Sequence, residues 1–123
     1  MWFPLSKTAK GRHYERRAQA WLQQQGLIPV ASNVRFKGGE LDLVMKDGDC
    51  WVFIEVKYRR DKAFGGAAGA LSRAQQQRLL KAASRYLSAR GLNLWDSPCR
   101  FDVICFDGSE EPDWIRSAFA ASL

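Results

Sequence analysis

Two neighbouring stretches in the first half of the chain are mostly apolar, with charged residues at a few positions, and predict a pair of β-strands. The first runs from Glu40 to about Lys46, and the second runs from Cys50 to about Tyr58. The turn between them, Asp47-Gly48-Asp49, contains the Asp-Gly pair that is typical of a tight hairpin. Both faces of the second stretch are mostly apolar, which favours a central strand that is covered on both sides.

The pattern elsewhere predicts two helices and three further strands. Apolar residues at helical spacing indicate helices over residues 8–25 and 72–89, each followed by a glycine that can end it. Strands are predicted over residues 27–36 and 100–106 and, from a weaker pattern, over 114–119. This αβββαβ order with a final strand predicts one α/β domain, over residues 1–123, in which a mixed central sheet carries a helix on each face.

Charged residues interrupt the apolar pattern of the predicted hairpin. Glu40 and Asp42 are two residues apart and are expected to share one face of their strand, and the same spacing relates Glu55 and Lys57. Pairing of the two strands would bring three carboxylates and one ammonium together. Such a group is unfavourable inside a small domain unless its charges are paired, solvated or bound to a metal. The hairpin is therefore the first candidate for a functional site.

The first predicted helix contributes one more acid. The stripe expected to pack inward contains an acidic residue among small and apolar ones, namely Gly11, Glu15, Ala18 and Leu22. Glu15 either points towards the hairpin or lies at the edge of the stripe, where it would pair in solvent with Arg12 or Gln19.

These residues suit magnesium-dependent chemistry on phosphate. Mg²⁺ prefers oxygen ligands, and one or two carboxylates together with a substrate phosphate are sufficient to bind it. Asp42 and Glu55 could supply those carboxylates, and Glu15 could complete the site. Lys57 could position an attacking water or stabilise charge that develops on the phosphate. The predicted cofactor is Mg²⁺ or Mn²⁺.

The charge distribution points to an anionic partner. The chain of 123 residues has a net charge of +6, but residues 1–90 carry +10 and residues 91–123 carry −4. An acidic pocket within a basic surface suits a nucleic acid, although a basic composition alone is weak evidence. The basic face of the second helix is either a ridge that follows phosphates or ordinary solvated surface. The residues predicted to contact nucleic acid are Arg12, Arg35, Lys37, Arg59, Arg60 and Arg78.

Other features narrow the class of protein. The three cysteines form no CxxC pair, so neither a disulfide framework nor a zinc site is indicated, and Cys50 and Cys105 are expected to be buried. No apolar run has the length of a membrane span, and a cytoplasmic location without membrane association is expected. The stretch 59–70, rich in Gly and Ala, is either a loop that closes over a substrate or a plain connector.

The motifs taken together resemble the YraN-like uncharacterised protein family over nearly the whole chain. Two residues outside the strand pair depart from the family pattern. Tyr14 stands where the family has a small residue before the glutamate of the first helix, and Gln75 stands where the family has a lysine. The stretches that carry the resemblance are the helical pattern from Gly11 through Glu15 to Gly26, Asn33-x-Arg35, Gly39-Glu40-Leu41-Asp42-Leu43, Phe53-Ile54-Glu55-Val56-Lys57-x-Arg59, Gln76 and Arg100-Phe101-Asp102-Val103.

This family is similar to PD-(D/E)xK nucleases of the restriction-endonuclease-like fold and to archaeal Holliday-junction resolvases. The resemblance implies that Asp42 and Glu55 bind the metal and that Lys57 is the catalytic lysine. It also implies that Glu15 is the acid of the first helix and that Gln76 lines the site from the second helix. Glu40 matches the family pattern but not the general nuclease motif, and its role is open.

Three functions are therefore weighed. The first is a metal-dependent endonuclease acting on DNA rather than RNA, with branched or structured DNA as the target. The second is a nucleic-acid-binding protein that keeps the fold without cleavage. The third is a structural role in which Glu55 and Lys57 form an ion pair facing solvent. The small size of the domain favours a homodimer or another partner, because one such domain covers only a short length of DNA.

Overall fold

A computed structural model describes residues 9–58, 71–108 and 111–120. The predicted loop over 59–70, with Arg59 and Arg60, lies outside these residues. Every predicted helix and strand is present, and no end differs by more than one residue. In chain order the elements are α1 (Ala9–Gln24), β1 (Ile28–Phe36), β2 (Gly39–Asp47), β3 (Cys50–Tyr58), α2 (Arg73–Ser88), β4 (Cys99–Phe106) and β5 (Asp113–Phe119).

The strands form one five-stranded sheet in the order β1-β2-β3-β4-β5. All neighbours are antiparallel except β3 and β4, which are parallel. A parallel pair requires a connection that crosses from one end of the sheet to the other, and α2 lies in that connection. The predicted mixed sheet in αβββαβ order is thus confirmed, including the final strand.

Each face of the sheet is covered by one helix. The helix α1 packs through Ala18 and Leu22 against residues such as Leu43, Ile54 and Ile104, and α2 packs on the opposite face. The predicted inward stripe of α1 is buried along its length, including Glu15. The α2 face of the core comprises Leu41, Val44, Phe53, Leu79, Ala82, Ala83, Tyr86, Leu87, Leu94 and Phe101.

The beginning of α2 is held close to the sheet by its cap and by a glycine. The Ser72 hydroxyl accepts a hydrogen bond from the Gln75 backbone N–H at 3.1 Å, and the Gln75 side chain accepts one from the Ser72 N–H at 2.9 Å. This reciprocal capping box satisfies two amides at the helix start. A Cβ atom at Gly39 would lie 2.9 Å from the Arg78 carbonyl oxygen. Only glycine therefore allows α2 to approach the first residue of β2 this closely.

Regular alternation is interrupted where β1 and β2 pair near Asp42. Asn33 has a left-handed backbone with φ of 52°. Across from it, Leu41 packs on the α2 side of the sheet, whereas Leu43, two residues later, packs on the α1 side. Strict alternation would keep these two leucines on one face. The strand therefore changes its orientation between Leu41 and Leu43, while Glu40 and Asp42 both line the same cleft.

A further buried acid, Asp102, has a structural role. It accepts hydrogen bonds from Arg100 Nε at 3.1 Å, from Trp114 Nε1 at 3.0 Å and from the Ser117 backbone N–H at 3.0 Å. Arg100 also binds Asp47 at 2.9 Å. These bonds attach the edge strand β5 where its pairing with β4 is irregular, and they account for the acid in the Arg100-to-Val103 motif.

The burial predicted for the cysteines is confirmed at Cys105 and is wrong at Cys50. All three cysteines are free; Cys105 is buried, as predicted, while Cys50 is only half-buried. Neither helix in the described part of the chain has the length and apolar character needed to span a bilayer.

The close approach at Gly39 yields a test of how α2 is positioned. The substitution Gly39→Ala should destabilise the protein by roughly 1 to 3 kcal/mol, because the added methyl overlaps backbone that cannot rotate away. Urea unfolding measures the loss, and amide hydrogen exchange should quicken in the first turns of α2.

The matched comparison is Gly38→Ala, where the new methyl meets no atom within 4 Å but the backbone has a φ of +87°. This variant should lose stability through backbone strain alone, roughly 1 to 2 kcal/mol, without faster exchange in α2. Equal exchange in both variants would contradict the steric explanation.

Candidate active site

A cleft of about 670 Å³ opens where β2 begins and β3 ends, between the first halves of the two helices. The residues lining it include most of the charged groups that interrupt the strand pattern. They are Gly11, Tyr14, Glu15, Arg35, Phe36, Gly38, Gly39, Glu40, Asp42, Glu55, Val56, Lys57, Tyr58, Gln75, Arg78 and Leu79. The sequence prediction that Glu15, Asp42, Glu55 and Lys57 come together is therefore matched by the geometry.

Asp42 and Glu55 interact directly in this cleft. Asp42 is only 5% exposed, and its Oδ2 atom accepts a hydrogen bond from the Val56 backbone N–H at 2.9 Å. The carboxyl group of Glu55 lies close enough to that of Asp42 for the two to share a hydrogen bond when one of them carries a proton. Lys57 Nζ lies 3.9 Å from Glu55 Oε1, with both side chains about one-fifth exposed at 23% and 21%.

Burial disfavours the charged forms of both acids. It raises the pKa of Asp42 to about 6; the Val56 N–H opposes this shift, and Glu40 adds to it. Burial, followed by repulsion from Asp42, raises the pKa of Glu55 well above its usual range, while Lys57 acts in the opposite direction. One ammonium does not offset the acids around it, so the pair holds a proton to a higher pH than two separate carboxyl groups would, unless another cation binds.

Glu15 faces this pair from α1. It is 4% exposed, so the alternative in which it pairs with Arg12 or Gln19 in solvent is wrong. Burial raises the pKa of Glu15 to about 7, repulsion from Asp42 adds to the effect, and a hydrogen bond from the Asn33 side chain opposes it. Glu15 Oε1 and Asn33 Oδ1 are both buried and have no hydrogen-bond partner among the described residues.

Asn33 is the site residue that the sequence pattern left without a role. Its side chain hydrogen-bonds Glu15, and its left-handed backbone, with φ of 52°, lies in β1 between the residues that pair with Leu41 and Leu43. Asn tolerates this conformation better than most residues. In the sequence, the signal for this role is a polar residue within a strand pattern, in the Asn33-x-Arg35 motif. A polar residue of this kind is also compatible with many surface positions.

Oxygen atoms dominate the acidic part of the cleft, and they fit a hard cation such as Mg²⁺. The carboxylate oxygens of Asp42 and Glu55 are acceptors that a divalent ion would satisfy, and the unpartnered Glu15 Oε1 is a further acceptor in the cleft. In the described part of the chain, no three His, Cys, Asp or Glu side chains are gathered as a ready metal cluster. Asp42 and Glu55 could hold an ion as a pair, whereas Glu15 does not form a three-ligand cluster with them.

The contribution of α2 differs from the one predicted. Gln75, Arg78 and Leu79 line the cleft. The amide of Gln76, the residue predicted to line the site, instead donates to the Leu71 carbonyl oxygen at 3.4 Å. The helix begins at Arg73, and Gln75, whose side chain completes the capping box, lines the cleft. The apolar stripe of α2 alone does not reveal this.

The basic residues predicted to contact nucleic acid divide into two groups. Arg35 and Arg78 line the cleft, and Arg35 Nε lies 3.9 Å from Glu40 Oε2. Glu40 thus has Arg35 as one partner. Arg12 and Lys37 are exposed outside the lining, and the Lys37 carbonyl oxygen accepts a hydrogen bond from Arg85 at 3.0 Å.

The fold and the cleft define a mixed α/β domain with an αβββαβ, nuclease-like arrangement and acids at one end of its sheet. The chain belongs to the uncharacterised protein family UPF0102, whose model matches residues 14–106, a range that contains every acid of the cleft. The resemblance to the YraN-like family is therefore confirmed.

Similar chains occur in several bacteria. A UPF0102 protein of Serratia proteamaculans is 50% identical over 117 residues, which cover 95% of this chain and 99% of that protein. One from Yersinia enterocolitica is 46% identical over 117 residues, with the same coverage of both chains. One from Aeromonas hydrophila is 46% identical over 117 residues, covering 95% of this chain and 88% of that protein. None of these names states an activity.

The raised pKa values predict how the metal-free protein responds to pH. The folded protein keeps protons on these acids that the unfolded chain releases above about pH 4.5. Their contribution to stability is therefore complete below that pH and is lost as the pH rises through about 6 to 7, the pKa range of Asp42 and Glu15.

The substitution Asp42→Asn removes one acid while retaining an acceptor for the Val56 N–H. It should raise the stability of the metal-free protein at pH 8 by roughly 1 to 3 kcal/mol and flatten the fall between pH 5 and 8. Urea unfolding in EDTA measures both effects, with the exposed Asp113→Asn as the control. A less stable Asp42→Asn protein at pH 8 would show that the carboxylates are not in conflict.

Proposed function

We propose that the chain is a metal-dependent endonuclease that hydrolyses phosphodiester bonds in DNA. The observation that supports this most strongly is the pairing of Asp42 and Glu55 beside Lys57 in one cleft. A stable domain could be built more simply with apolar residues at these positions, since buried acids that repel each other reduce stability. Such groups are typical of sites where a cation and a phosphate meet.

The role of the cation follows from the donor set. Asp42 and Glu55 would hold Mg²⁺ or Mn²⁺, which when bound supplies positive charge to the phosphate and acidifies water. The Val56 backbone N–H donates a hydrogen bond to Asp42 Oδ2 at 2.9 Å. Because this oxygen is held by the backbone, the other carboxylate oxygen can face a ligand. This backbone contact keeps the acid oriented whether or not a ligand is bound.

The remaining residues act on the phosphate and the water. Lys57 is held near Glu55 at 3.9 Å, and its ammonium can donate to a phosphoryl oxygen as negative charge develops there. Glu15 Oε1 has no donor among the described residues and is available to accept a hydrogen bond from the attacking water. In the reaction the water oxygen bonds to phosphorus, one ester P–O bond breaks, and the leaving oxygen takes up a proton.

Positive residues would guide the polymer to the acids. Arg78 from α2 and Arg35 from β1 lie on the cleft walls, so phosphates on either side of the reacting one can be neutralised there. Such contacts set the position of a strand without reading its sequence. Branched or structured DNA is the proposed target because of the family resemblance, and RNA is the less favoured polymer.

A second candidate is a nucleic-acid-binding protein that does not cut. One observation favours it: no three metal-ligating side chains form a cluster in the described ranges 9–58, 71–108 and 111–120. A protein of this kind would use the basic walls and leave the acid pair without catalysis.

The experiment is a cleavage assay on four-way junction, flap, duplex and single-stranded DNA and on matching RNA, with Mg²⁺, Mn²⁺ or EDTA. Cleavage should require the ion, and Lys57→Ala and Asp42→Ala should each reduce the rate by about 100-fold or more, because each removes a group that acts on the reacting phosphate. The control Lys81→Ala removes one positive charge from the exposed face of α2 and should cut at close to the normal rate.

The possible results separate the two candidates. Cleavage that persists in Asp42→Ala and Lys57→Ala would show that the site is elsewhere. Binding that weakens steeply with salt, without cleavage of any substrate, would favour the non-cutting candidate. A protein that neither binds nor cuts would refute both.

A further inference from the structure

Two tyrosines form one wall of the cleft and have no role in the chemistry described above. Tyr14 on α1 and Tyr58 at the end of β3 both line the cleft, and their rings stack with centroids 4.7 Å apart at an angle of 28°. We refer to this pair as the tyrosine ledge. Tyr14 directly precedes Glu15, and Tyr58 directly follows Lys57. The ledge therefore adjoins two of the groups proposed to act on the phosphate.

Packing explains only the inner side of the ledge. Tyr14 contacts Phe106 with ring centroids 5.1 Å apart, and both tyrosines pack against the α1 side of the core. Both side chains are nevertheless only half-buried, and part of each faces the cleft. An apolar residue such as Leu could fill the inner contact equally well, so the core does not require two aromatic rings here.

Two cationic side chains contact the rings of the ledge, which indicates a surface suited to charged or aromatic ligands. Lys10 Nζ lies 3.9 Å from the centroid of the Tyr58 ring, and the Arg17 guanidinium lies 5.7 Å from that of Tyr14. Lys10 and Arg17 are exposed, and a lysine ammonium on a flexible stem can leave the ring for a phosphate. The ring face that it vacates is then available to a flat, weakly polar group.

The size of the cleft limits what can reach the acids. A volume of about 670 Å³ is typical of sites that enclose a small organic group, comparable to one or two nucleotides rather than a double helix. Asp42 is 5% exposed, so a phosphate must enter the cleft to meet it. A nucleotide that has left its helical stack can enter, and its base then requires a surface to lie against.

We infer that the tyrosine ledge stacks an unpaired base next to the reacting phosphate, so that the ligand class is single-stranded or locally unpaired nucleic acid. This inference rests on the proposed function and specifies its substrate. Stacking on aromatic side chains tolerates any base, because every base has a π face. Selection would thus be for strand state rather than for sequence, and a branch point or flap would supply the unpaired nucleotides.

The test measures binding of a labelled single-stranded DNA 12-mer and of the same sequence as a duplex, by fluorescence anisotropy. All proteins carry Asp42→Asn, which prevents cleavage. Tyr58→Leu should weaken single-strand binding about 5- to 100-fold, while duplex binding changes less than twofold. Tyr58→Phe should bind as the parent does. Trp95→Leu, at an aromatic residue exposed outside the cleft lining, controls for the loss of an exposed ring.

A second measurement needs no change to either tyrosine. Single strands with 2-aminopurine at successive positions should show altered fluorescence at one or two adjacent positions when the protein binds, because stacking changes the emission of this base. The same signal should be absent from the fully paired duplex. This readout remains valid if Tyr58→Leu fails to fold.

The outcomes distinguish this inference from the proposed function. Metal-dependent cleavage with equal affinity for single strand and duplex, or with unchanged single-strand affinity in Tyr58→Leu, would overturn the stacking role and leave the nuclease intact. An absence of 2-aminopurine response in a bound single strand would do the same. If no nucleic acid binds or is cut, the proposed function itself fails, and the inference fails with it.

Discussion

The structure depends on a conflict between burial and charge at one end of its sheet. Asp42 is almost fully buried and lies in one cleft with Glu55, and burial raises the pKa of Glu15, in the same cleft, to about 7. Lys57 lies near one member of the group and cannot neutralise all of them. Repulsion between two carboxylates about 4 Å apart amounts to about 1 to 4 kcal/mol per pair, a considerable part of the stability of a small domain.

The surrounding fold keeps these groups together despite that repulsion. Gly39 permits α2 to pack against the start of β2, and the left-handed Asn33 interrupts β1 where β2 changes orientation. Away from the cleft, hydrogen bonds to Asp102 attach β5 to the sheet. Strain and buried polarity are therefore concentrated in the irregular parts of the strands, while the apolar faces of the sheet stabilise the domain as a whole.

Much of this arrangement could be predicted from the chain, because period-2 and period-3.6 patterns specify elements and an Asp-Gly pair specifies a hairpin. Acids placed against those patterns identified Asp42, Glu55 and Glu15. The roles of Asn33 and Gln75 could not be found in the same way. Asn33 acts through a backbone angle that breaks alternation, and Gln75 acts through a helix cap. Both depend on local geometry that hydrophobic periodicity does not encode.

The central claim is that the Asp42 and Glu55 pair binds a divalent cation in place of its proton. Isothermal titration calorimetry with Mn²⁺ at about pH 6, repeated in buffers that differ in ionisation enthalpy, measures binding and proton release together. We expect one ion to bind with release of roughly one proton, and Asp42→Asn to lose most of the affinity and the release. The absence of binding, or binding without proton release that is unchanged in Asp42→Asn, would contradict the claim.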